Sequence, residues 1–86
     1  DYPGVGPLLA NVLNSKRAEF MSITDSDAML AGLEVSKLEG IIPAIETAHA
    51  FAAFKYLDFK PNDIIVVNFS GRGDKDLNTY IDYFNL

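Results

Sequence analysis

Apolar residues along this chain fall into several helix-spaced stretches and two runs of a different kind. From Leu8 to about Ser15, Leu9, Val12 and Leu13 recur three to four positions apart. That spacing predicts a short helix with Pro7 in its first turn. Residues 1–7 before it, Asp-Tyr-Pro-Gly-Val-Gly-Pro, are too rich in Pro and Gly for a regular element. Between Arg17 and Ile23, the residues Phe20, Met21 and Ile23 predict a short strand. Thr24-Asp25-Ser26-Asp27 then supplies a helix start, with an oxygen to accept from free N–H groups and acids facing the positive end of the dipole. This second helix is expected to run to about Leu38, with Met29, Leu30 and Leu33 as its apolar face and Gly40 as its stop. Pro43 opens a third helix that reaches about Leu57. Its residues Ile45, Ala48, Ala50, Phe51, Ala52, Ala53 and Phe54 leave hardly any polar face, which predicts burial all round. After a turn at Lys60-Pro61-Asn62-Asp63, Ile64-Ile65-Val66-Val67-Asn68-Phe69 is the pattern of a strand covered on both sides in a parallel sheet. Ser70 to Asp74 forms a tight loop, and a last helix extends to about Phe84. The order helix, strand, helix, helix, strand, helix predicts an α/β fold, with helices packed on a fragment of parallel sheet.

Composition sharpens this picture. Eighty-six residues make one small domain at most, yet 49% of them are apolar. A chain this short buries only about 60–65% of its unfolded surface. So apolar a segment is expected to be a piece of a larger domain, and its start at Asp1 without a Met points the same way. Exposed apolar surface would make the isolated segment self-associate. The net charge is −5 and the seven basic residues are scattered, which disfavours nucleic acid and anionic membranes as partners. Cysteine is absent and there is one His, so thiolate chemistry is excluded and a zinc site would need mostly carboxylates. No run has the roughly 18–20 apolar residues of a membrane span, so a cytoplasmic protein is expected.

Two places have the makings of chemistry. In open α/β sheets, ligands bind beyond the carboxyl ends of strands. Asn68-Phe69-Ser70-Gly71-Arg72-Gly73-Asp74 would sit at such an end, with two glycines and a neutral hydroxyl. By itself the loop fits either an anion or phosphate cradle or a plain strand-to-helix turn. It has neither the Walker nor the dinucleotide spacing. The second place is Glu46 and His49, three apart on an apolar helix and so on neighbouring parts of one face. A carboxylate among apolar neighbours costs several kcal/mol unless paired, to within an order of magnitude. Either Glu46 reaches a partner beyond this segment or it faces a ligand, whereas His49 fits a satisfied core histidine. Asn68-Phe69-Ser70 matches a glycosylation sequon and Arg72-Gly73-Asp74 an integrin tripeptide. Both are discounted, because the strand before them is expected to be buried in a cysteine-free protein. Asp74 and Asp76 are most simply acids at a helix start.

Four blocks then resemble, in order and spacing, the C-terminal region of the tryptophan synthase β-subunit family. They are Asp1-Tyr2-Pro3-Gly4-Val5-Gly6-Pro7; Ser22-Ile23-Thr24-Asp25; Leu38-Glu39-Gly40-Ile41-Ile42-Pro43-Ala44-Ile45-Glu46 with His49-Ala50; and Val66 through Asp76. Together they cover essentially residues 1–86, which would be the C-terminal portion of the catalytic domain. The resemblance implies a pyridoxal 5'-phosphate (PLP) enzyme of fold type II that joins L-serine to indole, giving L-tryptophan. It implies that Ser70 hydrogen-bonds the pyridine nitrogen, that Gly71 lies at the ring edge and that Glu46 stands beside the ring. A hydroxyl, unlike a carboxylate, does not hold a proton on that nitrogen, which favours elimination at Cβ over transamination. The resemblance further makes Asp1 part of a domain-closure pair with an Arg. The backbone carbonyls of Tyr2 and Gly4 become ligands of a monovalent cation, Na+ or K+, and the Tyr2 ring stands near the indole tunnel. The implied partners are a second β subunit and an α subunit, in an α2β2 assembly.

The family's Schiff-base lysine and phosphate loop lie earlier in its chain. Lys16, Lys37, Lys55, Lys60 and Lys75 all lack that context. The segment alone is therefore expected to be inactive, and the phosphate-cradle reading of the glycine loop gives way, because the family holds its phosphate elsewhere. A rival from another class is a small flavodoxin-like module binding a phosphorylated effector at Ser70–Asp74. A third is a non-catalytic paralogue fragment serving as an interaction surface.

Overall fold

A computed structural model describes residues 6–86. It contains four helices: α1 (Pro7–Asn14), α2 (Asp25–Glu39), α3 (Ile45–Ala52) and α4 (Leu77–Phe84). Tighter 3-10 turns extend α3 at Ala53–Tyr56 and precede α4 at Asp74–Asp76.

Local chemistry explains most of the boundaries. Pro7 begins α1, where its missing N–H costs nothing. The Thr24 hydroxyl accepts from the Asp27 N–H at 3.2 Å and so caps α2, with Asp25 and Asp27 in its first turn. Gly40 ends α2 in the left-handed conformation at φ 69°, and its N–H donates to the Ser36 carbonyl.

The core lies where α2 meets α3. Ala28, Met29 and Gly32 are buried on α2; Ala44, Thr47, Ala48 and Ala52 are buried at and along α3. Small side chains on both helices allow a close approach. The buried face of α2 is therefore one position off the expected Met29, Leu30, Leu33 stripe, and Leu30 is exposed. Tyr80 of α4, only 5% exposed, closes the core from the third side. Its ring lies over Gly32, where a Cβ would collide with it, and its hydroxyl donates to the Pro43 carbonyl at 2.9 Å. At the surface, Asp27 accepts from Lys55 Nζ at 3.3 Å and from the Tyr56 hydroxyl, which ties the start of α2 to the end of the α3 extension.

The expected α/β architecture is overturned. Among the described residues there is no strand and no sheet, and the fold is helical. Neither Arg17–Ile23 nor Ile64–Phe69 forms a regular element. The physical reason is pairing: a strand exists only when a second backbone accepts and donates across from it. Neither run has such a partner here. Ile64 and Val66 are 94% and 89% exposed, the opposite of a strand covered on both faces. The third helix also departs from expectation. Its α-helical part ends at Ala52, and its outer side, with Ala50 and Phe54, remains exposed rather than buried all round.

Candidate functional site

The two places singled out by sequence meet at the N-terminal end of α3. Ser70 and Gly71 follow the irregular 64–69 run, and Gly71 adopts φ 74°, a left-handed turn that glycine makes without strain. The turn brings Gly71 against Ala44, whose Cβ would lie 3.4 Å from a Cβ built at position 71. Gly73 passes so close to Ile42 that a Cβ there would overlap the Ile42 carbonyl. The loop is thus packed onto the Pro43 turn by glycines rather than by side chains.

Two polar bonds complete the junction. Thr47, buried on the first turn of α3, donates its hydroxyl to the Ser70 carbonyl at 2.6 Å and lies 3.2 Å from the Ser70 hydroxyl. The Ile45 N–H, one of the free donors at the start of α3, donates to Asp76 Oδ2 at 2.9 Å. Thr47 escaped the sequence reading, which took Asp76 for an acid at the start of its own helix, as it is, but not for the cap of another. Thr47 had one signal, a hydroxyl on an apolar helix beside Glu46. Asp76 had none beyond its place near a helix start, because the helix it caps is not its own.

Glu46 is not the buried carboxylate that an all-apolar helix implied. Its side chain is 60% exposed and pairs with Lys75 Nζ at 3.1 Å. Its own backbone N–H and then the Lys75 ammonium hold its carboxyl below the ordinary range. Lys75 also bonds Asp76 Oδ2 at 2.9 Å, so one cation serves both acids at this corner. His49 is half-buried, with Nδ1 2.7 Å from the Ile45 carbonyl and Nε2 3.2 Å from Asp25 Oδ1. It links α2 to α3 and points to no site.

Within the Ser70–Asp74 loop, Arg72 pairs with Asp74 through two of its N–H groups. Its Nε and Nη2 reach the two Asp74 oxygens at 3.1 and 2.7 Å, and the pairing raises the Arg72 pKa and lowers that of Asp74. A phosphate arriving here would meet a guanidinium already facing a carboxylate. Asp1, Tyr2 and Gly4 lie outside the described residues. Among those described, no cluster of three or more acids or histidines could hold a metal ion, and no helix is long and apolar enough to cross a membrane. An open groove of about 550 Å³ between α2 and α3, lined by Leu30, Val35, Leu38, Phe51 and Phe54 among others, includes none of the predicted site residues.

A helical scaffold presenting a neutral hydroxyl on a glycine-packed loop can place a small hydrogen-bonding group with precision, and known proteins share this wording. No family model matches the chain. Curated relatives do, and they are biosynthetic enzymes that make tryptophan. More narrowly, the chain is homologous to a C-terminal portion of proteins named tryptophan synthase beta chain. It is 52% identical to that of Bacteroides thetaiotaomicron over 83 residues, covering 96% of this chain and 21% of the relative. Against the beta chain of Bacteroides fragilis the identity is 51% over 81 residues, covering 94% and 21%. Against that of Parabacteroides distasonis it is 49% over 83 residues, covering 96% and 21%. The chain therefore spans about a fifth of the length of the curated relatives it matches.

Proposed function

We propose that this chain forms the C-terminal portion, residues 1–86, of the catalytic domain of a cytoplasmic tryptophan synthase β chain. In that setting it would supply one wall of a PLP site where L-serine and indole are joined to L-tryptophan. The observation that supports this reading best is the state of Ser70. Ser70 is exposed on a loop fixed by Gly71 and Gly73, and among the described residues its hydroxyl meets the neutral Thr47 hydroxyl and no carboxylate or cation. Such a donor suits a pyridine nitrogen that is to stay unprotonated. A carboxylate in its place would hold the proton on the ring.

The residues fit the cofactor in a second respect. Gly71 turns at φ 74° and packs against the buried Ala44, so the backbone that follows Ser70 is held in place without a side chain of its own. Bound there, PLP would supply the electron withdrawal that loosens the substituents of serine. This chain's part is to orient the ring through Ser70, to bring backbone to its edge at Gly71 and to place Glu46 nearby, steadied by Lys75. Asp1 would join domain closure, and the carbonyls of Tyr2 and Gly4 would bind a monovalent cation. A second β subunit and an α subunit would be the partners of the whole enzyme. The rival phosphate-binding module draws little support, because Arg72, the cation of the loop, is paired with Asp74 within it.

The test is turnover of L-serine and indole by the purified 86-residue chain and by the full-length chain containing it, each with PLP. The full-length chain is expected to form tryptophan and the isolated segment none, since no lysine here stands in the Schiff-base context. Tryptophan formation by the segment alone would overturn the reading, as would an inactive full-length chain.

A further inference from the structure

The geometry points to Thr47 as a positioning residue that sets which way the Ser70 hydroxyl can donate. This rests on the reading of Ser70 just given and extends it by one residue. Thr47 has a single hydroxyl proton, and the Ser70 carbonyl at 2.6 Å can only accept, so that proton is committed there. At the 3.2 Å contact between the two hydroxyls, Thr47 is left to accept. Ser70 therefore receives no proton from Thr47 and keeps its own to give. At rest that proton points to Thr47 Oγ1. When an unprotonated ring nitrogen arrives, the hydroxyl rotates about one bond and donates to it, without a change in backbone.

The same bond anchors the loop. Thr47 is buried on the first turn of α3, so its grip on the Ser70 carbonyl ties the start of the loop to a helix. Residue 47 thus fixes the place of the Ser70 oxygen and leaves its proton free to be given.

The experiment uses the full-length chain containing this segment and PLP labelled with 15N at the ring nitrogen. Dissociation constants and the 15N chemical shift are measured for the unmodified chain, Thr47→Val, Thr47→Ser, Ser70→Ala and the double variant. Loss of one hydrogen bond of ordinary strength predicts about tenfold weaker PLP binding in Thr47→Val, with a displaced 15N shift. Thr47→Ser is expected to restore both. In the Ser70→Ala background no hydroxyl remains to be positioned, so Thr47→Val is expected to leave the 15N shift where Ser70→Ala alone puts it; a shift that moves again would mark a purely structural role. If Ser70→Ala changes binding and shift but Thr47→Val changes neither, the positioning role is wrong and the Ser70 reading stands. If Ser70→Ala changes neither, both fall. Thr47→Ala, which removes the hydroxyl and adds no bulk, serves should the valine variant not fold, and the same outcomes decide.

Discussion

Asp76 caps a helix that begins 31 positions before it. Its carboxylate takes the Ile45 N–H that α3 itself leaves unpaired, as the Thr24 hydroxyl takes an N–H of α2 from only three positions away. Burial works against ionisation of Asp76, but the Ile45 N–H and the Lys75 ammonium outweigh it and leave the pKa below the usual aspartate value. A carboxyl whose folded pKa is depressed stabilises the fold fully above its unfolded pKa, about 3.9, and loses that stabilisation as pH falls through the lower folded value. Protection of the Ile45 amide against hydrogen exchange should therefore hold from neutral pH down through the ordinary aspartate range and fail only as pH falls through the lower folded value. Removing the cap in Asp76→Ala should cost about 1 kcal/mol in urea unfolding, with faster exchange at Ile45. An unchanged Ile45 amide in that variant would show that the cap does not act. Thr24, Gly40 and Pro7 were legible in the sequence because each acts within four residues of itself. Thr47 and Asp76 were not, since each meets its partner across a distance that local patterns do not encode.

Among elements, the contact that makes the site is between a turn and a loop. Ile42 to Ala44 on one side and Gly71 to Asp76 on the other meet closely, with Gly73 where a Cβ would overlap the Ile42 carbonyl and Gly71 beside Ala44. Gly73→Ala should push the loop off the Pro43 turn and cost about 1–3 kcal/mol, the usual penalty for overpacking. Urea midpoints of the two proteins measure it, and equal midpoints would mean that the loop is free to shift. The helices themselves were largely readable, because 3.6-residue spacing and caps are properties of one segment. Their partnership was less so. The buried stripe of α2 runs through Ala28 and Gly32, small residues that weigh little in a hydrophobic pattern yet decide how closely helices pack. The strands failed for a related reason. Ile64 to Val67 has the composition of a strand, but pairing belongs to two segments and cannot be read from one. The loop that follows it was located correctly, because Gly71 and Gly73 mark the turn whatever precedes it.

The whole molecule has more surface than a self-sufficient domain. Its radius of gyration is 14.5 Å, against about 12 Å for a compact chain of this length. It exposes 6971 Å², where a folded monomer of this size exposes about 5,000 Å². The excess is apolar in large part: Leu8, Leu38, Ile64, Val66 and Leu86 are all strongly exposed. Surface of this kind is covered in proteins that function in water, by more chain or by a partner. The match to about a fifth of a longer enzyme gives the excess a natural explanation. The proposed cofactor wall and the exposed apolar exterior then belong to one account, in which the segment is part of a larger body. Sedimentation of the purified 86-residue chain over a concentration series, with an apolar-surface dye added, tests this most directly. The account predicts dimers or larger species that bind the dye. A species that stays monomeric at every concentration and leaves the dye dark would contradict it.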